Sequence, residues 1–205
     1  VNLAANTASD GDGGTDTISN VENVDGSVNN DFLYGDAANN VIRGLAGDDQ
    51  IRGRGGDDTL DGGAGNDTID YTVAVGGIVA DLSANTVSND GDGGTDTLIA
   101  IENVTGSNSA DTITGDNAAN ILNGNGGNDR LIGNGGQDTL IGGAGIDVAD
   151  YSSAAAAINV NLLTNTVSND GDGSNDSITG VENIDGSNFN DLIKGDGNAN
   201  VLSGR

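Results

Sequence analysis

The chain has 205 residues, 36 of them glycine, with no Pro, Cys, Met, Trp or His, and its 32 acidic residues against six basic ones leave a formal net charge of -26. This composition excludes disulfides and thiol chemistry, Ser–His and Cys–His catalytic pairs, and histidine-based zinc or iron sites. The charge repels nucleic acid and anionic membrane surfaces, no 18-residue apolar run is present to insert into a membrane, and composition alone is equally that of a disordered chain.

Repetition argues for order. Residues 1–25 read as the end of a module; Val1-Asn2-Leu3 resembles the middle of a repeat, so the chain reads as an excerpt from a longer one. Gly11 to Ser19 fits a nine-residue template that recurs downstream, with Asp16 at its sixth position. Asp10-Gly11-Asp12-Gly13 returns 80 residues later as Asp90-Gly91-Asp92-Gly93, and again as Asp170-Gly171-Asp172-Gly173. The same shift relates Val21-Glu22-Asn23-Val24 to Ile101-Glu102-Asn103-Val104 and Val181-Glu182-Asn183-Ile184. The Asn of each triplet reads as turned inward to hydrogen-bond the next coil, and Glu22, Glu102 and Glu182 read as exposed.

Residues 26–105 form the first full module. Its nonapeptides, 26–71, open at Gly26, Gly35, Gly44, Gly53 and Gly62. Their sixth positions are Asp31, Asn40, Asp49, Asp58 and Asp67, and their eighth positions Leu33, Ile42, Ile51, Leu60 and Ile69. The pattern predicts a glycine turn with positive φ angles, a carboxylate at a fixed place, then a short strand with one inward apolar residue. Helix is disfavoured because glycine recurs throughout. Tyr71 closes the block and is expected to cover the core where coil size changes. In residues 72–105, Ile78, Ala80 and Leu82 alternate with polar residues as in a half-buried strand, and Gly91 to Ile99 fits the nonapeptide template with Asp96 at its sixth position. An EF-hand reading of Asp90, Asp92 and Asp96 fails, since Ile101 stands where the loop requires its final Glu. The insert is expected to continue the solenoid in larger coils.

Residues 106–185 form the second module. Nonapeptides over 106–151 carry Asp111, Asn120, Asp129, Asp138 and Asp147 at the sixth position and Ile113, Leu122, Leu131, Leu140 and Ala149 at the eighth. Tyr151 ends the block, and residues 152–185 repeat the insert with Ile158, Val160, Leu162 and Asp176. Residues 186–205 begin a third module with Asp191 and Asn200. One continuous solenoid is expected, stacking with or continuing into further repeats, because its open ends would expose strand edges.

Gly62-Gly63-Ala64-Gly65-Asn66-Asp67-Thr68-Ile69-Asp70 resembles the GGxGxDxUx nonapeptide of RTX proteins, and Gly53 to Asp61 and Gly142 to Asp150 are close variants. The resemblance covers residues 26–71, 106–151 and 186–205. It implies an all-β fold, a right-handed parallel β-roll in which each nonapeptide makes half a coil and calcium lies between stacked turns. Carried over, the side-chain ligands are Asp31, Asp49, Asp58, Asp67, Asp111, Asp129, Asp138, Asp147 and Asp191, with Asp16, Asp96 and Asp176 in the less regular coils. The carbonyl ligands come from the glycine turns Gly44, Gly47, Gly53, Gly56, Gly62, Gly65, Gly124, Gly127, Gly133, Gly136, Gly142 and Gly145. Asn40, Asn120 and Asn200 depart from the pattern, as do Ala38, Ala118 and Asn198 at the fourth position, so those turns read as weak or empty sites or as hydrogen-bonded caps.

Calcium suits such oxygen ligands in irregular geometry, whereas magnesium requires a stricter octahedron and zinc prefers nitrogen or sulfur. One apolar residue in nine cannot offset the entropy of ordering the backbone, so a metal that binds only the folded chain must supply the balance. The reading is a calcium-binding secreted segment without catalysis, exported unfolded by type I secretion, that folds outside the cell as a rod of a surface layer, adhesin, filament or matrix protein. The alternatives are a folding and secretion module of a larger enzyme or toxin, and a module that binds polysaccharide or protein. Paired carboxylates also suit glycoside hydrolysis, but the metal register explains those positions better.

Overall fold

A computed structural model describes residues 1–9 and 11–205; Asp10, the counterpart of Asp90 and Asp170, lies outside them. Between the glycine turns, short β-branched and aliphatic stretches form strands that alternate between two sheets. Asn23–Asp25, Val41–Ala46 and Thr59–Ala64 lie in one sheet, and Phe32–Tyr34, Gln50–Arg52 and Thr68–Asp70 in the other. Pairing is parallel with a step of 18 residues: Val24, Ile42 and Leu60 stand in register in the first sheet, and Leu33, Ile51 and Ile69 in the second. Two nonapeptides therefore make one coil, the repeat unit of an all-β parallel roll.

The eighth-position side chains fill the space between the sheets. Ile42, Ile51, Leu60, Ile69, Ile113, Leu122, Leu131 and Leu140 are fully buried, and a single apolar cluster runs from Leu3 to Ile184. Each coil thus adds two aliphatic side chains, about 1.5–3 kcal/mol of burial apiece.

The inserts join these sheets differently from expectation. Ile78, Ala80 and Leu82 are buried as read from their alternation. The chain, however, runs through Val79–Asp81, Thr86–Asn89 and Asp96–Ile99 as an antiparallel meander within the first sheet, where larger parallel coils were anticipated. Its first strand pairs forward with Thr112–Thr114 and its last pairs back with Thr59–Ala64, setting Leu98 beside Leu60. The reversals come from local left-handed residues, Asn85 (φ 57°) at one turn and Gly91 (φ 81°) and Gly93 (φ 108°) at the other. The second insert folds the same way through Asn159–Asn161, Thr166–Asn169 and Asp176–Thr179, but in the second sheet. Each 80-residue period holds six single strands and one meander, an odd number of half-coils, so equivalent residues alternate between sheets: Leu60 lies in the first and Leu140 in the second.

Several basic residues pair along the strands. Arg43 meets Asp25 at 3.0 Å, Arg52 meets buried Asp70, and Arg130 bridges Asp150 and Asp185. Burial would raise the Asp70 carboxyl, but the Thr72 amide and hydroxyl and the Arg52 guanidinium outweigh it and hold it below its ordinary value. No helix among the described residues is long and apolar enough to cross a membrane.

Candidate metal centres

The sixth-position side chains stack along the edges of the roll and do two things with their two oxygens. One oxygen ties coils together: Asp49 Oδ1 accepts the Asp31 amide at 2.8 Å, Asp67 Oδ1 the Asp49 amide at 2.7 Å, and Asp58 Oδ1 the Asn40 amide at 2.7 Å. The second module repeats this with Asp129 on Asp111, Asp147 on Asp129 and Asp138 on Asn120. The other oxygen folds back over the first-position glycine. Asp49 Oδ2 and the Gly62 carbonyl both lie within 2.6 Å of the point that a Cβ on Gly44 would occupy, and Asp129 Oδ2 and the Gly142 carbonyl within 2.7 Å of the equivalent point on Gly124. The missing Cβ leaves a cradle lined by a carboxylate oxygen and a carbonyl of the next coil.

Two classes of turn result. In the closed class, the second residue's amide satisfies the sixth side chain: Ser27 donates to Asp31 Oδ2 at 2.6 Å, Ser107 to Asp111 Oδ2 at 2.7 Å, and Asp36, Asp116 and Asp196 donate to Asn40, Asn120 and Asn200. In the open class, the second residue is left-handed (Leu45 79°, Arg54 73°, Gly63 99°, Asn125 70°, Asn134 63°, Gly143 104°), and so is the glycine at position four: Gly47, Gly56, Gly65, Gly127, Gly136 and Gly145. There the Oδ2 atoms of Asp49, Asp58, Asp67, Asp129, Asp138 and Asp147 are buried without a hydrogen-bond partner. A buried carboxylate oxygen lacking any donor costs several kcal/mol unless a cation or proton meets it. That chemistry fits calcium: one hard anionic oxygen per turn beside carbonyls. No cluster of three or more acidic side chains that could hold an ion by itself occurs among the described residues, so carbonyls must complete the shell.

The remaining expected ligands fall out unevenly. Asp31 and Asp111 belong to closed turns, with Oδ2 engaged by serine amides, as do Asn40, Asn120 and Asn200, which the structure places as hydrogen-bonded caps. Asp191 keeps a buried, unpartnered Oδ2 although its turn carries Phe189 at position four. Asp16 is exposed on a strand paired antiparallel with Thr7–Ala8, away from the stacked turns. Asp96 and Asp176 do stack beneath Asp58 and Asp138, accepting their amides at 3.1 and 3.0 Å, but their second oxygens accept the hydroxyls of Tyr71 at 2.6 Å and Tyr151 at 3.0 Å. The tyrosines are buried as anticipated, with the added task of holding these carboxylates.

Glu102 and Glu182, read as exposed, are half-buried and replace Asp in the ladder: they accept the amides of Asp67 at 2.8 Å and Asp147 at 3.0 Å. The spacing contained this, since Glu102 stands two residues before buried Val104 as Asp67 stands two before Ile69. Asn103 and Asn183 are buried and accept an amide of the next coil, as expected, whereas Asn23 accepts the Val41 amide but is exposed rather than turned inward. A ladder at the fifth position went unread: Asn30, Asp48, Asn39, Asp57 and Asn128 each accept an amide from the fifth position of the following coil.

Burial is the main influence on the open-turn carboxyls and raises them all. Asp58 is pushed up to about 6, and Asp129 and Asp138 to about 7; Asp49, Asp67 and Asp147 move in the same direction. Like charges nearby add to burial, as Asp90 does at Asp58.

Two substitutions test the cradle. Gly44→Ala puts a methyl onto Asp49 Oδ2 and the Gly62 carbonyl; it is expected to lower stability in calcium by about 1–3 kcal/mol, while Gly197→Ala, with nothing within 4 Å, leaves the melting temperature unchanged. Leu45 holds φ at 79° with its side chain half exposed. A left-handed bulky residue costs roughly 1–2 kcal/mol against roughly 0.5–1 kcal/mol for the extra freedom of glycine. Leu45→Gly is therefore expected to raise the unfolding midpoint in calcium by about 0.5–1 kcal/mol.

The family model of the RTX calcium-binding nonapeptide repeat (4 copies) matches residues 22–51, 34–69, 101–131, 114–149 and 178–205, more than half of the chain. The matched ranges contain all six open turns. No curated protein matches the chain. Stacked half-coils, open glycine turns and this match lead to one conclusion: the chain belongs to the RTX calcium-binding nonapeptide repeat family.

Proposed function

We propose that this calcium-binding repeat segment is an extracellular rod that folds when calcium enters its open turns. The unpartnered, buried Oδ2 atoms of Asp49, Asp58, Asp67, Asp129, Asp138 and Asp147 support this most directly. The side chains that would hold the ions are these six together with Asp191, and the carbonyls are those of the glycine turns Gly44 to Gly65 and Gly124 to Gly145. Bound calcium would supply positive charge where the fold has gathered negative charge, and the chain's own contribution is to hold each carboxylate by an amide of the preceding coil so that one oxygen stays free.

Calcium modules of the extracellular space bind at roughly 10⁻⁴–10⁻³ M. Sites of that strength stay empty at cytosolic calcium, which suits a chain exported unfolded by type I secretion. The rod reading is supported by two sheets that extend from coil to coil around one unbroken core. Circular dichroism against free calcium, with small-angle X-ray scattering at both ends of the titration, tests it. The expected result is a folding midpoint near the extracellular range and an elongated particle of uniform cross-section; a midpoint at cytosolic calcium, or a compact particle, would reject the proposal.

A further inference from the structure

We propose that each insert supplies a calcium ligand of its own, Asp90 in the first and Asp170 in the second, which meets the open turn of Asp58 or Asp138 and forms an ion site at the junction between nonapeptides and insert. The inference rests on the calcium reading above and adds a site outside the nonapeptide motif.

The edge column that contains Asp58 should pass its next carboxylate to Asp96, the sixth position of the following coil. Tyr71 prevents this by donating to Asp96 Oδ2. Asp90 stands in its place. It is completely buried, and its Oδ1 accepts three successive amides, from Asp92 at 2.8 Å, Gly93 at 2.7 Å and Gly94 at 2.8 Å. Its Oδ2 has no partner. Three amides fix the carboxylate rigidly and leave one oxygen aimed inward. That oxygen and the Gly56 carbonyl, from the open turn of Asp58, both lie within 2.8 Å of the point a Cβ on Gly94 would occupy. Asp58 feels the charge of Asp90 directly, and its own Oδ2 is also buried and unpartnered. Two anionic oxygens and a carbonyl are a hard-oxygen set that suits calcium.

The second module repeats the carboxylate in the opposite sheet but not the glycine cradle, since Ser174 stands where Gly94 does and its hydroxyl accepts the Gly136 amide at 3.2 Å. Asp170 is completely buried, accepts amides from Asp172, Gly173 and Ser174 at 2.8, 3.0 and 3.0 Å, and has an unpartnered Oδ2 close enough for Asp138 to feel its charge. Tyr151 holds Asp176 as Tyr71 holds Asp96.

The tyrosines make the site measurable. The chain has three tyrosines and no tryptophan, and Tyr71 and Tyr151 stand beside the two junctions. In a Tyr34→Phe background, terbium is expected to show tyrosine-sensitised emission. Asp90→Asn with Asp170→Asn keeps an Oδ1 for the three amides and removes the anionic oxygen. This double variant should lose the emission and two calcium ions per chain by calorimetry, while keeping the calcium-induced β-signal. If it does not fold, each single variant should lose one ion. Unchanged emission and ion count in the variants would overturn the junction sites yet leave calcium-driven folding standing. A parent chain whose β-signal ignores calcium would instead remove the reading beneath them.

Discussion

Transferred into excess chelator at pH 7.5, the chain is expected to lose most of its β-signal and regain it on adding calcium, in a transition steeper than one-site binding. Among the described residues, the folded chain buries the Oδ2 atoms of nine carboxyl side chains without a donor: the six open turns, Asp90, Asp170 and Asp191. Each uncompensated buried charge costs several kcal/mol, against a net stability of about 5–15 kcal/mol for an ordinary domain. The net charge of -26 adds repulsion along the whole chain. Even a fraction of those costs exceeds what two buried aliphatic residues per coil leave over after ordering the backbone. Steepness follows from sharing: the Asp49 amide is held by Asp67, the Asp31 amide by Asp49, so an ion that fixes one turn also fixes its neighbour. Magnesium at the same concentration should restore much less, because its short octahedral shell does not suit one carboxylate beside splayed carbonyls. A full β-signal in chelator, or equal rescue by magnesium, would contradict the proposal.

Much of this was readable as spacing. Glycine at positions one and four, Asp at six and an aliphatic residue at eight identify the open turns at Asp49, Asp58, Asp67, Asp129, Asp138 and Asp147, and the structure shows their orphaned oxygens. The eighth-position core was equally plain, since each residue is buried by its own coil's geometry. What spacing concealed lay wherever a partner is remote or the period breaks. Asp96 keeps the correct register, but its second oxygen is taken by a tyrosine 25 residues away. Steps of 38 residues from Asp58 to Asp96 and 35 from Asp67 to Glu102 replace the usual 18, so the stacking partners at the inserts could not be counted off. Antiparallel meanders depend on left-handed Asn85, Gly91 and Gly93, whose effect on chain direction is not visible in a template that reads only periods. Asp31 and Asp111 look like ligands by register, and serine amides occupy their second oxygens; the non-glycine fourth position they share does not separate them from Asp191, whose turn carries Phe189 there and keeps its Oδ2 unpartnered.

Acid should act in opposite directions with and without calcium. In the ion-free fold, burial raises Asp58 and Asp176 to about 6 and Asp96, Asp129 and Asp138 to about 7, whereas an unfolded chain titrates these groups near ~3.9. Between those values the folded chain holds more protons than the unfolded one, so stability is gained as pH falls. The contribution is complete below the unfolded value and is lost as pH rises through about 6 to about 7. Protons can therefore stand in partly for calcium at the buried oxygens, and reduced net charge acts the same way. Lowering pH from 7.5 to 5 in chelator is expected to increase β-signal; pH 5 stays above the sequence pI of about 4.1, where precipitation would obscure the result. In limiting calcium the same protons compete with the ion for Asp58, Asp129 and Asp138, so the calcium midpoint should move to higher concentration over the same range. Together these make a signature that a merely acid-labile protein would not produce: acid stabilises the metal-free chain while weakening its hold on metal. A β-signal in chelator that is flat or falling between pH 7.5 and 5 would show that the open-turn carboxylates are not the groups that keep the metal-free chain unfolded.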